Sequence, residues 1–207
     1  MFISVDFFRH ACSVVGAIWT PPTGYVFDGD DRIDCGVGAS IISLQQGCVE
    51  VWARNNGDSY GDLFSIGDKD SSLYNILYVQ ADATVSKRQL NILLKSQGTT
   101  QYAFITQTGT SYYGNTWNHV VFGSDGSTNY AWINASPQTL TATAGSNNGS
   151  WFGDIVNVDN FTIGSEIRSL TPVNNLNGGI GEMRIYNRLL TTAEVLYNYG
   201  KTMLRYQ

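Results

Sequence analysis

Residues 25–35 read Tyr25-Val26-Phe27-Asp28-Gly29-Asp30-Asp31-Arg32-Ile33-Asp34-Cys35. Aromatic and β-branched residues flank the turn formers Asp28 to Asp31, so the stretch predicts a strand, a tight turn and a second strand. The same pattern repeats down the chain. Cys48 to Arg54 alternates, with Val49, Val51 and Ala53 on one face and Glu50 and Trp52 on the other. Short β-prone runs follow at Leu63–Ile66, Tyr74–Val79, Leu90–Leu94 and Tyr102–Thr106. Trp117–Phe122 and Tyr130–Asn134 enclose the hairpin loop Gly123-Ser124-Asp125-Gly126-Ser127. Phe161–Gly164 and Gly181–Tyr186 complete the series. Strands at about ten-residue spacing, with no helical segments between them, predict an antiparallel sandwich or jelly roll and exclude parallel α/β.

One helix is expected near the end. Thr191 or Thr192 caps it, Glu194 lies in its first turn, and Val195, Leu196 and Tyr199 form its apolar stripe. Gly200 falls where it would end or kink. Upstream of Tyr25, Thr20-Pro21-Pro22-Thr23-Gly24 breaks the chain. Residues 1–24 read as an N-terminal arm or first strand, and 25–207 as the domain. Residues 135–160 read as a long Ser-, Thr-, Asn- and Gly-rich loop carrying Trp151 and Phe152.

Composition agrees with an all-β chain. Of 207 residues only 14% are charged, against about 25% in an average domain. There are thirteen Asp but four Glu (Glu50, Glu166, Glu182, Glu194), and four Lys, so strong helix formers are scarce. The net charge is −5. That excludes binding along a nucleic-acid phosphate backbone and a polybasic membrane patch. No window reaches the roughly 18 apolar residues of a membrane-spanning helix. The first nineteen residues lack the basic region and clean apolar run of a secretory signal. Three glycosylation sequons, at Asn134, Asn148 and Asn160, are expected by chance in a chain so rich in Asn, Ser and Thr. Cys12, Cys35 and Cys48 are an odd, sparse set. The expectation is buried free thiols, with Cys35–Cys48 as the alternative pair.

Read together, these segments resemble laminin-G-like domains of the concanavalin A-like class. Tyr25–Ile33 resembles the opening strand pair. Cys48–Arg54 resembles the strand carrying a central Trp, and Leu63–Asp68 the strand and turn after it. Trp117–Phe122 resembles the family's Trp-x-His-Val strand, Phe161–Gly164 its Ile-Gly strand, and Gly178–Leu190 its Arg-Ile-Tyr-Asn-Arg strand. The resemblance implies a two-sheet antiparallel jelly-roll sandwich with one short C-terminal helix. The ending from Thr191 to Tyr206 is similar to that of laminin-G-like domains in tailed-bacteriophage structural proteins. Two positions depart. Gly181 stands where the family has an Asp that often helps bind structural calcium, and Asn134-Ala135 replaces the usual Asn-Gly turn, so that hairpin is expected to turn differently.

Catalysis finds little support. The family's glucanases carry paired carboxylates on one strand face, and no such run exists here. His10 and His119 are the only histidines, and no nucleophile elbow occurs. His119, in the Trp-x-His-Val strand, reads as structural, and Trp52 and Trp117 as core. The protein is therefore expected not to be an enzyme. Calcium is the one ion whose ligands are abundant, at Asp28, Asp30 and Asp31, with Asp34, Asp68 and Asp70 in reserve; the alternative is that these acids cap turns. Glycan binding needs flat aromatic faces and hydrogen-bonding side chains. Trp132, Trp151, Tyr130, Asn134, Tyr112 and Arg184 are the candidates. Phe2, Phe7, Phe8 and Trp19 are candidate assembly contacts.

The expected role is a non-catalytic virion surface protein, a capsid decoration or tail-fibre component. It would stabilise the particle, adhere to cell-surface glycans, or both, and assemble in the host cytoplasm. Its partners would be other virion proteins, copies of itself and host glycans, with no nucleic acid and no membrane insertion. The alternative is a soluble or secreted, calcium-dependent lectin-like protein.

Overall fold

The computed structural model describes residues 12–107 and 112–207. The expected strands form, with ends that differ by up to four residues, and two antiparallel sheets stack face to face. In chain order the strands are β1 (Cys12–Val15), β2 (Ile18–Thr20), β3 (Gly24–Asp28), β4 (Arg32–Cys35), β5 (Gly47–Asn55), β6 (Tyr60–Gly67), β7 (Ile76–Asp82), β8 (Gln89–Ser96), β9 (Thr99–Ile105), β10 (Asn118–Ser124), β11 (Asn129–Ile133), β12 (Ser136–Gln138), β13 (Thr141–Gly145), β14 (Asn160–Ile163), β15 (Glu166–Arg168), β16 (Thr171–Val173) and β17 (Asn177–Tyr186). A one-turn helix α1 (Ala39–Ile42) lies between β4 and β5, and α2 (Thr192–Thr202) follows β17.

Sheet I has the order β1-β4-β14-β6-β7-β8-β9-β13, and sheet II the order β12-β11-β10-β5-β17-β3-β2. Strands β15 and β16 form a small separate hairpin. Period-two alternation sends Leu77, Val79, Ala81, Leu90, Ile92 and Leu94 of sheet I, and Val49, Val51, Ala53, Val120 and Phe122 of sheet II, into one continuous core.

Helix α2 lies across the outer face of sheet II, which is why every residue from Gly47 to Ala53 is buried rather than alternate ones. Thr191 caps the helix reciprocally with Glu194. Trp52 stacks on Tyr206 at 4.5 Å and on Tyr199 at 5.6 Å, and its Nε1–H donates to Thr202 Oγ1 at 2.8 Å. Trp52 is thus buried between sheet and helix, outside the main core. His119 is fully buried and structural, as expected.

Several expectations are corrected. The helix runs through Gly200 to Thr202. Residues 135–160 contain β12 and β13 and are no plain loop. The Asn134-Ala135 hairpin turns as an Asn-Gly pair would, with both residues at positive φ (51° and 62°). Cys12 bonds to Cys35, because β1 pairs with β4 and sets these two residues opposite each other, and Cys48 remains a buried free thiol. Of the segment read as an arm or first strand, residues 12–20 hold two edge strands: β1 edges sheet I and β2 edges sheet II.

Candidate functional site

The structure separates the predicted glycan residues. Trp151 and Tyr112 are fully buried. Trp151 stacks on Phe152 at 4.5 Å inside the core, and Tyr112 donates its hydroxyl to Asn55 Oδ1 at 3.0 Å. Trp132 is covered by α2, in a cluster with Cys48, Val121, Leu190 and Val195. These three rings are occupied by packing and offer no face to a sugar. Tyr130 is exposed and stacks on Trp132, with its hydroxyl on Asp125. Asn134 lies at the other end of β11, in a polar cleft of about 330 Å³ with Gln107, Tyr113 and Gln138. Arg184 is held between Glu50 and Glu182. Trp19, on edge strand β2, is 39% exposed and meets Tyr25 edge to face. Phe2, Phe7 and Phe8 lie outside the described residues.

The outer face of sheet I carries a different constellation. Register places Asp62, Gln80 and Asn91 side by side on β6, β7 and β8. Their side chains form a ladder: Gln89 Nε2 donates to Asn91 Oδ1 at 2.7 Å, Asn91 Nδ2 to Gln80 Oε1 at 3.1 Å, and Gln80 Nε2 to Asp62 Oδ1 at 3.0 Å.

The β15–β16 hairpin packs against β6 beside this ladder. Its Glu166 is fully buried and accepts from Tyr74 Oη at 2.8 Å, from Asn174 Nδ2 at 2.6 Å and from Arg168. The Arg168 side chain is 42% exposed and its guanidinium lies over the Tyr74 ring at 4.3 Å, and Lys95 Nζ stands 5.6 Å from the same ring. Tyr74, Ser169, Leu170 and Asn174 all sit at positive φ (60°, 47°, 65° and 53°). Backbone strain of this kind in non-glycine residues concentrates where a side chain must be held in one place. Burial, then the Glu166 charge, pushes the nearby Tyr78 hydroxyl up to about 12, so Tyr78 is a neutral donor at physiological pH. An exposed guanidinium over a tyrosine, beside a row of amides, can recognise hydroxyls and a carboxylate together.

These residues escaped the sequence reading because none stands in a motif. The available signal was Gln80 and Asn91, polar positions inside otherwise apolar strands.

The acidic turn brings three carboxylates together. Carboxylate oxygens of Asp28, Asp30 and Asp31 lie within 4.8 Å of one another. Such spacing suits oxygen ligands around one calcium ion. Asp28 Oδ1 and Asp31 Oδ2 also accept turn N–H groups, at 3.4 and 3.0 Å. Hydrogen bonding to Asp28 and its charge push the Asp30 carboxyl above its ordinary value, the signature of crowded acids. A second acidic group joins Asp68 and Asp70 to Asp159. The family's calcium Asp has no room here: a Cβ on Gly181 would meet the Tyr206 ring at 2.5 Å.

A family model, Laminin_G_3, described as the concanavalin A-like lectin/glucanases superfamily, matches residues 27–196. The chain belongs to this superfamily. Among solved structures, the concanavalin A-like chain is similar to the CBM40 of the Ruminococcus gnavus IT-sialidase bound to α2,3-sialyllactose. That match has a TM-score of 0.67 at 16% identity and covers 91% of this chain and 98% of that one. It is also similar to the NanB sialidase of Streptococcus pneumoniae (TM-score 0.69, 18% identity, 84% of this chain but 27% of that one). A third similar structure is the receptor binding domain of botulinum neurotoxin C/D mosaic serotype (TM-score 0.66, 10% identity, 95% and 47%). At these identities the likeness concerns the fold of this superfamily member. A comparison with curated protein sequences returns no match.

Proposed function

We propose that this domain is a non-catalytic glycan-binding module whose binding face is the outer surface of sheet I. The observation that carries the reading is Arg168: its exposed guanidinium is held over Tyr74 by the buried Glu166, beside the Gln80–Asn91–Gln89 ladder. A planar cation next to amides and tyrosine hydroxyls suits a sugar that carries a carboxylate. The similar module bound to sialyllactose supports this class of ligand. The fully buried Asp62 and Glu166 support a binding role over hydrolysis, because neither reaches a glycosidic bond.

The test is titration calorimetry with 3′-sialyllactose and with lactose. Binding of the sialylated sugar alone, weakened at least tenfold by Arg168→Ala, is expected. Equal binding of both sugars, or none, would sink the reading.

The biological setting we propose is a virion surface, as a capsid decoration or tail-fibre component. The C-terminal ending supports it, and the apolar arm with exposed Val14, Val15, Ile18 and Trp19 supports contacts to neighbouring virion proteins or copies of the chain. Mass spectrometry of purified particles tests it, together with loss of incorporation on replacing the exposed pair Ile18→Ser and Trp19→Ser. The Cys12–Cys35 bond favours a second setting, an extracellular lectin, because disulfides persist outside the reducing cytoplasm.

A further inference from the structure

The amide ladder ends on a carboxyl whose hydrogen bonding is incomplete. Asp62 is fully buried, and its Oδ1 accepts from Gln80 while its Oδ2 has no partner among the described residues. A second fully buried acid, Glu166, is tied to the same point. The Asp62 N–H donates to the Asn174 carbonyl at 2.9 Å, and Asn174 Nδ2 donates to Glu166 Oε1 at 2.6 Å. Both Glu166 oxygens are engaged, by Tyr74, Asn174 and Arg168. Ionised, Asp62 would keep a bare charged oxygen out of water beside the Glu166 charge. As the neutral acid it avoids both penalties.

We propose that Asp62 is a positioning residue carried as the neutral carboxylic acid, so that Glu166 remains the single buried anion holding Arg168 across Tyr74. This deepens the glycan-binding reading of the same face and rests on it for its consequence. The groups that act on Asp62 are Gln80 and Tyr78 from β7 and Glu166 and Arg168 from β15. Arg168 is the one cation among them, and it is committed to Glu166. Burial first, then the Glu166 charge, raises the Asp62 carboxyl well above the carboxylate range, in line with the geometry. Once ionised, Asp62 competes for Arg168 and loosens the β15–β16 hairpin.

The test is carboxyl ¹³C NMR of the full chain labelled at aspartate. One carboxyl is expected to stay in the protonated position after the other aspartates have titrated, and to vanish in Asp62→Asn. Titration of all aspartates together in the acid range overturns the proposal. A second measurement compares melting of parent and Asp62→Asn against pH. The folded parent binds the extra proton, so its stability falls as pH rises from about 3.9. The midpoint of Asp62→Asn relative to the parent should therefore rise steadily above that pH. A difference independent of pH overturns the proposal. Neither arm uses a glycan, so failure here is separate from failure of the sialyllactose titration.

Discussion

Glu50 Oε1 accepts a 2.7 Å hydrogen bond from His119 Nε2–H in the layer between sheet II and α2. The same carboxylate accepts from Tyr186 Oη at 2.7 Å, Asn198 Nδ2 at 3.1 Å and Arg184 at 3.4 Å. It therefore joins β5, β10, β17 and α2. Burial alone would raise the Glu50 carboxyl, but His119, Tyr186 and Arg184 outweigh it and hold it below its ordinary value. A depressed acid gives stability that is present above the unfolded value, about 4.3, and lost as pH falls through the folded value. The parent should lose midpoint below about pH 4, and Glu50→Gln should lose less over that window. Glu50→Ala leaves several buried partners unpaired and should cost about 3 kcal/mol by urea unfolding. A cost under about 1 kcal/mol would show that Glu50 does not hold the helix.

Gly181 is required by the chain's own C-terminus. Tyr206 packs over it and accepts the Glu182 N–H at 2.8 Å. Gly181→Asp, which restores the residue usual in the family, should destabilise by about 2 kcal/mol through overpacking. In a Tyr206→Ala background the added cost should shrink, because neighbouring changes are not additive. Equal costs in both backgrounds would place the strain elsewhere.

Calcium should raise the melting midpoint through Asp28, Asp30 and Asp31. With three protein carboxylates the affinity expected is weak, on the order of 10⁻⁴ to 10⁻³ M. Asp30→Asn should remove the response. A midpoint unchanged by millimolar calcium and by chelator refutes the site.

The Cys12–Cys35 bond closes a 23-residue separation and pins edge strand β1 to β4. Reduction should lower stability by about 2–4 kcal/mol. Cys12→Ser should melt at the lower temperature with or without reductant. A parent midpoint insensitive to reductant would refute the contribution.

The strands were legible because alternation is local: Leu90, Ile92 and Leu94 face the core wherever the neighbours lie. The C-terminal cap was legible for the same reason, since Thr191 and Glu194 lie within one turn. The proposed binding face was not. Tyr74 and Glu166 are 92 residues apart, and the loop and hairpin that join them have no motif. Trp132 and Trp151 misled because an aromatic beneath α2 or in the core looks, in sequence, like one that faces a ligand.

By itself the sequence determined the class of fold, the order of the long strands along the chain, the acidic turn and the absence of a strand-borne carboxylate pair. Each follows from residues within a few positions of one another, where period and turn chemistry act directly. The tertiary structure decided which aromatics are covered, which cysteines join and which polar side chains share a face. Those depend on register between distant strands and on where α2 comes to rest, so they are set by packing across the whole chain.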